Sequence, residues 1–530
     1  MSRKMTAQLY HLLNRITYGP RPEDRQHLAE IGWDNYVAEQ LNPGEEPEAL
    51  RRMIQEDVYG WRFDINGEST QMEMPLTYYD LSIGEIFRRL MPAPGNPAKY
   101  DLRRPFFETL IVSWLKALHS PWQLRELMVE FWHNHFTVSV DIEDGIAACY
   151  AAYDRETIRP NVLGNFRTLL EAVAQAPAML HYLDNAVSRA SPANENFARE
   201  LFELHTMGAE SYYNHLYDEW TKVPGALEGR AEGYIDEDVY EAARAFTGWT
   251  VAINQPHRDL SVPDSGEFYY FDLWHDPYKK RVLGVELKSH QGPMEDGRQV
   301  LDLLAYHPRT AHFIVTKLCR WLVADDPPQS VVDQAVGTWI AHQRSPDQIK
   351  ATLRTILLAP EFAVSLGQKL KRPNHLILAF VRMTGAQLTP HESVFWWTRK
   401  MGYHQFTCPF PTGNPDRAEF WINSDALLKR WQSFPELERI GAAEGFFDWD
   451  VLAETPAEIA DFASLLEYWT ARLIPTVLPA RIRAELRKIF FEDLATRSIA
   501  ELRRRDPEAL SRRVKQMVRL VCMSPDFQKR

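Results

Sequence analysis

The chain has 530 residues, 45% hydrophobic and 25% charged, which places it among ordinary globular proteins and excludes a disordered chain. A formal net charge of −12 and the lack of a basic tract exclude the electrostatic footprint of a nucleic-acid binder. Cys149, Cys319, Cys408 and Cys522 stand far apart, so neither a zinc ribbon nor a disulfide framework is indicated, and no apolar run reaches the roughly 18 residues of a membrane span.

The N-terminal stretch has no apolar segment followed by a small-residue cleavage site, and the expected location is the cytoplasm. Helical periodicity dominates from there on. Residues 6–14 read as a helix ended by Tyr18-Gly19-Pro20, and Pro22 to Leu41 as another closed by Asn42-Pro43. Residues 43–100 are mixed, with a loop at Met91-Pro92-Ala93-Pro94-Gly95. A strong helical block runs from Phe106 to Phe136, broken near Ser120-Pro121, where Ser120 suits an N-cap and Pro121 a first helical residue. Further helices are expected at 154–158, 164–174, 177–187, 195–207 and 236–247. Residues 250–290, with Phe268-Tyr269-Tyr270-Phe271-Asp272 among turn residues, suit a small strand pair or an ordered excursion. Helices return at 294–324, 330–342, 346–358 and 373–384, residues 386–425 are loop-rich and aromatic, and the last hundred are helical and charge-rich. The phrase from Ile356 to Phe362 is echoed from Val521 to Phe527, each after an amphipathic basic helix, without amounting to a repeat architecture. The expected fold is mainly α. A large multi-helix domain over 1–430, with a small β or irregular insertion near 250–290, would carry a C-terminal helical region, 431–530, packed on it.

Residues at i, i+4 and i+7 of a helix share one narrow stripe. Between Leu124 and His133 that stripe is Glu126, Glu130 and His133, flanked by apolar side chains. Asn196, Glu200 and Glu203 form a second stripe, and Glu237, Glu241 and Arg244 a third. Each is either the solvent face of an amphipathic helix or, if enclosed, part of a polar site between helices. Glu130-x-x-His133 has the spacing used by metal sites in helix bundles. No second convincing Glu-x-x-His accompanies it, and Arg244 would neutralise carboxylates, so a mononuclear or carboxylate–arginine site is favoured over a di-metal centre. His135 lies about 200° around the helix from His133, and the two can share an ion only if the helix ends there. The run Phe136-Thr137-Val138-Ser139-Val140 makes such an end reasonable. His205 reads as a packed or capping histidine near Gly208. His275-Asp276, near Lys280, suits an acid–base pair, a ligand or a surface turn. No phosphate-binding glycine loop, dinucleotide fingerprint or Gly-x-Ser-x-Gly elbow occurs, which weighs against kinases, nicotinamide dehydrogenases and α/β hydrolases.

Several phrases carry a family likeness. They are His11-Leu12-Leu13-Asn14-Arg15-Ile16-Thr17-Tyr18-Gly19-Pro20, Phe131-Trp132-His133-Asn134-His135-Phe136, Leu183-Asp184-Asn185, the run from Asn194 to Gly208, Ala243 to Trp249, and Lys371-Arg372-Pro373. On these the chain resembles the bacterial domain-of-unknown-function family numbered 1800. The resemblance covers most of the chain and implies no established activity. It implies one partner, because such proteins often sit beside a second uncharacterised family that looks like phosphatase and sulfatase folds.

Two functional expectations stand. The first is a metal-dependent enzyme, a hydrolase or oxidoreductase, with a divalent or transition metal ion lowering the pKa of a bound water. His133, His135, Glu200 and Glu203 would be ligands; Glu130 and Asp184 would be acid–base groups, and Arg199 or Arg244 would hold an anionic group or orient carboxylates. The second is a non-catalytic assembly or accessory protein that binds the phosphatase-like neighbour, with Phe395-Trp396-Trp397 as an exposed anchor. Neither nucleic acid nor membrane is an expected partner, and the oligomeric state is not legible.

Overall fold

The computed structural model of the protein describes residues 3–65, 68–90, 99–253, 256–257, 260–261, 263–491 and 498–530. The loop expected at Met91–Gly95 lies outside the described residues. Helices dominate, and the described strands pair only as small two-stranded sheets, so the expectation of a mainly α fold holds.

Where one long helix was expected, local backbone chemistry often divides it. The stretch from Pro22 to Leu41 is two helices, Pro22–Ile31 and Trp33–Gln40. Gly32 stands between them at φ +79°, a left-handed conformation that glycine adopts without the steric penalty of a Cβ. The 294–324 stretch is likewise Glu295–Ala305 and Pro308–Leu322. Pro308 forces the preceding residue out of the helical region, and His307 sits at φ −70°, ψ 136°. In the central block the Lys99–His119 helix is followed by Gln123–His135, which starts later than Pro121. Ser120 Oγ accepts the Trp122 N–H at 3.1 Å, and Trp122 takes the N-cap position expected for Ser120.

The 250–290 region contains the strand pairs Trp249–Val251 with Phe268–Tyr270, and Lys280–Val282 with Val285–Leu287. An antiparallel hairpin earlier in the chain, Val58–Ile65 with Glu68–Pro75, falls in the stretch read only as mixed. Asn66-Gly67, between alternating Tyr59, Trp61 and Phe63, is its sequence signal. The two echoed phrases share a local geometry. Ala359 and Ser524, each before a proline, are extended at ψ 141° and 152°, and each starts a short new helix that buries Phe362 or Phe527.

Two helices form the centre. In Gln123–His135 every residue except Arg125 and Asn134 is buried, and Pro373–Thr384 is buried along its whole length. The core around them runs continuously from Tyr10 to Phe527, and the Ser424–Glu444 helix passes unbroken through position 430. The last residues pair back onto the middle of the chain: Lys371 N–H donates to Gln528 O at 2.9 Å and Arg530 N–H to Lys369 O at 2.8 Å. No helix among the described residues is long and apolar enough to cross a membrane. A helix enclosed on all sides must find partners inside for its polar side chains. That requirement shapes the site.

Candidate functional site

The Glu126, Glu130, His133 stripe lies inside the protein, at 3%, 7% and 4% exposure. Glu130 accepts hydrogen bonds from Tyr18 Oη (2.8 Å), His375 Nε2 (2.9 Å), Asn374 Nδ2 (3.1 Å) and Tyr403 Oη (2.9 Å). Arg372 Nη1 stands 3.6 Å from its other face, and the guanidinium lies 4.3 Å over the Trp321 ring. Burial alone would raise the pKa of Glu130; His375, Arg372 and the donated hydrogen bonds reverse that and leave it an ionised carboxylate. Three of the donors, Tyr18, Asn374 and His375, meet at Oε2, while Tyr403 and the more distant Arg372 attend Oε1. Glu130 therefore ties together the N-terminal segment, both central helices and the Tyr403 loop.

One turn away in each direction lies a second group. His133 Nε2 donates to Asp154 Oδ1 at 2.8 Å, and its Nδ1 faces Tyr150 Oη at 3.3 Å. Asp154 also accepts from Tyr79 Oη (2.9 Å) and Arg159 Nε (2.6 Å), and Arg159 Nη1 reaches Glu126 at 2.8 Å. Burial would raise the pKa of Asp154, but Arg159, His133 and Lys116 pull it well below the usual carboxylate range. The order carboxylate, imidazole, hydroxyl is that of a charge-relay triad. Tyr150 is fully buried, however, so no substrate reaches its hydroxyl. A cavity of about 20 Å³, lined by Glu126, Arg159, Glu130 and Asn374 among others, separates the two groups. It has room for one water, and two buried atoms without a protein partner, Arg159 Nη2 and Asn374 Oδ1, belong to residues that line it.

His135 turns to a different place. The helix ends as Phe136 leaves helical geometry (φ −101°, ψ 57°), and His135 Nε2 meets the carbonyl of His205 at 3.1 Å. That carbonyl lies in a π-helical turn, Leu201–Thr206, which continues the Asn196–Glu200 helix. A carbonyl can only accept, so Nε2 carries the ring proton and the Nδ1 lone pair faces outward. Lys317 Nζ fills it at 2.9 Å. Burial, then Lys317 and His205, hold His135 far below its ordinary pKa, so the ring is neutral. His205 is likewise pushed down to about 3, by burial and then by Lys317, and its buried Nδ1 has no hydrogen-bond partner.

Lys317 is half-buried on the Pro308–Leu322 helix, its amine 5.3 Å from the Phe313 ring one turn back. Burial pulls its pKa down to about 8; Asp416 opposes this, while Arg320 and Arg372 add to it. Gly208, at φ +85°, closes the cluster, because a Cβ there would meet the Phe313 ring at 2.7 Å. Two of the family-like phrases, Phe131–Phe136 and Leu204–Gly208, thus meet at a lysine that belongs to neither.

The other expected residues lie elsewhere. Glu200 and Glu203 are half-buried, and burial followed by the charge of Glu203 raises the pKa of Glu200. Arg199 donates to Glu195 and Asp236, each at 3.2 Å. Asp184 is exposed at φ +59° and accepts from Asn196 at 3.3 Å. Arg244 is bound through two hydrogen bonds to Asp276 (2.8 and 3.1 Å) and by Glu241. Near them Lys280 is buried against Asp296 at 2.5 Å, with His275 Nε2 at 3.3 Å from the same carboxylate. Among the described residues no group of three or more His, Cys, Asp or Glu is placed to hold a metal ion. His133 and His135 face different partners, and neither is brought together with Glu200 or Glu203. Sequence reasoning passed over Lys317; its one signal is position, since Phe313, Lys317 and Trp321 follow one another at i, i+4 and i+8 along a helix face otherwise apolar.

A nearly all-helical chain built around a buried, charge-rich core is the class these features define. The chain belongs to the family described as Protein of unknown function (DUF1800), which matches residues 11–529. No curated protein and no solved structure matches it.

Proposed function

We propose that this protein is an enzyme whose working group is the amine of Lys317, acting on a small carbonyl compound. The observation that supports it is the Lys317 Nζ to His135 Nδ1 hydrogen bond of 2.9 Å. It anchors the amine to a neutral ring instead of a carboxylate that would hold its charge. With a pKa of about 8, roughly a tenth of the amine is neutral at pH 7. A desolvated lysine of this kind is a nucleophile towards carbonyl carbon. The Nζ lone pair adds to the carbonyl carbon, proton transfer gives a carbinolamine, and loss of water leaves an imine; hydrolysis returns the amine. His135 Nδ1 orients the nitrogen, and the protons pass to water.

Glyoxylate with sodium borohydride, followed by peptide mass mapping, tests this. The reduced adduct should concentrate on Lys317, rise with pH around a midpoint near 8, and fall at least tenfold in a His135→Phe variant. Labelling spread evenly over the exposed lysines would refute the reading. The accessory-protein reading rests on a different anchor: of Phe395-Trp396-Trp397, Trp396 is exposed at 60% while Phe395 and Trp397 pack partly buried against the core, and Phe410, Phe420 and Ile422 are exposed at 64%, 56% and 57%. Co-purification with the phosphatase-like neighbour, lost in a Trp396→Ser, Phe410→Ser variant, would favour it.

A further inference from the structure

The C-terminal region contains an antiparallel helix pair whose facing surfaces do not fill the space between them. Phe462–Leu473 and Ala480–Phe491 touch at one end through Phe462 and Phe491, whose ring centroids are 4.4 Å apart. Towards the other end, where residues 474–479 connect them, lies a cavity of about 500 Å³. One wall is apolar: Phe462, Leu466, Ile474 and Leu478. The opposite wall is Ala480, Arg483, Ala484 and Arg487, the i, i+3, i+4, i+7 stripe that packed helices ordinarily fill with large apolar side chains. Here it alternates a methyl with a guanidinium. Of that helix's buried side chains, Phe491 continues the stripe one turn further on, against Phe462, and Leu486 lies off it. Arg483 and Arg487 are exposed, one turn apart, and among the described residues neither is paired with a carboxylate. Glu467 on the facing wall is engaged in an interaction of its own.

We infer that this cavity is a binding site for an amphiphile with one aliphatic chain and one anionic head group. The volume lies within the roughly 300–1,000 Å³ typical of small-molecule sites. Phe462, Leu466, Ile474, Leu478 and the two alanines give a chain an apolar surface to lie against, and Arg483 and Arg487 stand where its carboxylate would emerge, able to hold it with paired N–H groups. The site is independent of Lys317.

Calorimetric titration with decanoate, kept below its micellar concentration, tests the assignment. Saturable one-to-one binding is expected. An Arg483→Gln, Arg487→Gln double variant should lose at least tenfold in affinity, and Ala484→Leu, which fills the channel from an exposed position, should abolish binding. Lys317→Met should leave it unchanged, and decylammonium should not compete. Circular dichroism and the denaturation midpoint establish that the variants fold. No saturable binding, equal binding of decylammonium, or full affinity in the Ala484→Leu variant would each overturn the inference. So would binding to phosphatidylglycerol vesicles without binding to monomeric decanoate, because recognition would then lie in the head group alone.

Discussion

Replacing Glu130 by Gln keeps the side chain's shape and removes its charge, so it isolates the part played by the carboxylate. Four donors, Tyr18, Asn374, His375 and Tyr403, reach its oxygens at 2.8–3.1 Å inside the protein. With its carbonyl in the place of Oε2 a glutamine still faces Tyr18, Asn374 and His375, while its NH₂ faces Tyr403, whose hydroxyl must turn to accept. All four bonds lose their charged acceptor, each worth about 1.5–3 kcal/mol before the change against about 0.5–1.5 kcal/mol to a neutral oxygen. Arg372, 3.6 Å away, also loses one of its two carboxylates and keeps Asp416. The sum agrees with the roughly 3–5 kcal/mol typical of breaking a buried ion pair, and against a usual total stability of about 5–15 kcal/mol it is large. Guanidinium denaturation followed by tryptophan fluorescence reads it, since Trp321 lies against Arg372. A Tyr403→Phe variant closes a double-mutant cycle, and the two changes should couple strongly because they share one contact. The charge should matter at any pH above the ordinary carboxylate range. The folded pKa is depressed, so the stabilisation is present above the unfolded value and is lost only as pH falls through the folded one. An unchanged denaturation midpoint with additive effects of the two substitutions would refute the view that Glu130 is a structural hub. A stable Glu130→Gln protein that had lost a bound metal would restore it as a ligand.

Lys317 acts in the same direction but in an alkaline window. Its folded pKa, about 8, lies below the ordinary lysine value, so the unfolded chain binds the extra proton between about pH 8 and 10.5 and this group makes stability rise with pH across that window. Denaturation of the parent and of Lys317→Met at pH 7 and pH 10 should differ in slope, with the variant the more stable at pH 7; a parallel pair of profiles would contradict the burial argument. Gly208→Ala should destabilise by about 1–2 kcal/mol from its left-handed backbone alone, and more from the contact with Phe313. Phe313→Leu should relieve the contact but not the backbone term, and a Gly208→Ala protein with parental stability would show that the close approach is not real.

The fold was largely legible because it rests on local periodicity. The 373–384 helix matches its expected bounds, and the strand pairs near 250–290 follow from the aromatic, turn-bounded run at Phe268–Phe271. Breaks were harder to see, since Gly32 and Pro308 act through single backbone angles that a stripe of apolar residues conceals. The polar stripes share one spacing and meet different fates. Glu126, Glu130 and His133 are enclosed because their helix is apolar on almost every other side. The Asn196 stripe runs into the π-helical turn at Leu201, whose wider turn shifts the angular register, and Glu200 and Glu203 stay half-buried. The partners of Glu130 lie 112 to 273 residues away, so no spacing rule could name them.

What separates a structural charge from a working one here is the count of partners. Glu130, Asp154, Arg244 and Lys280 are each surrounded by groups that match their charge and hydrogen-bond to them, and such networks fix geometry. His135 and Lys317 are matched differently. The ring spends its proton on a backbone carbonyl, and the amine leans on the remaining lone pair, a neutral partner that offers no counter-charge. Beside them His205 keeps a buried ring nitrogen with no partner at all. In a low-dielectric setting an unmatched cation favours its neutral form, and for lysine the neutral form is the reactive one. The two family-like phrases that converge there through Gly208 and Phe313 supply no charge to the amine. They supply the bounded, half-buried position in which a lysine loses its proton near neutral pH.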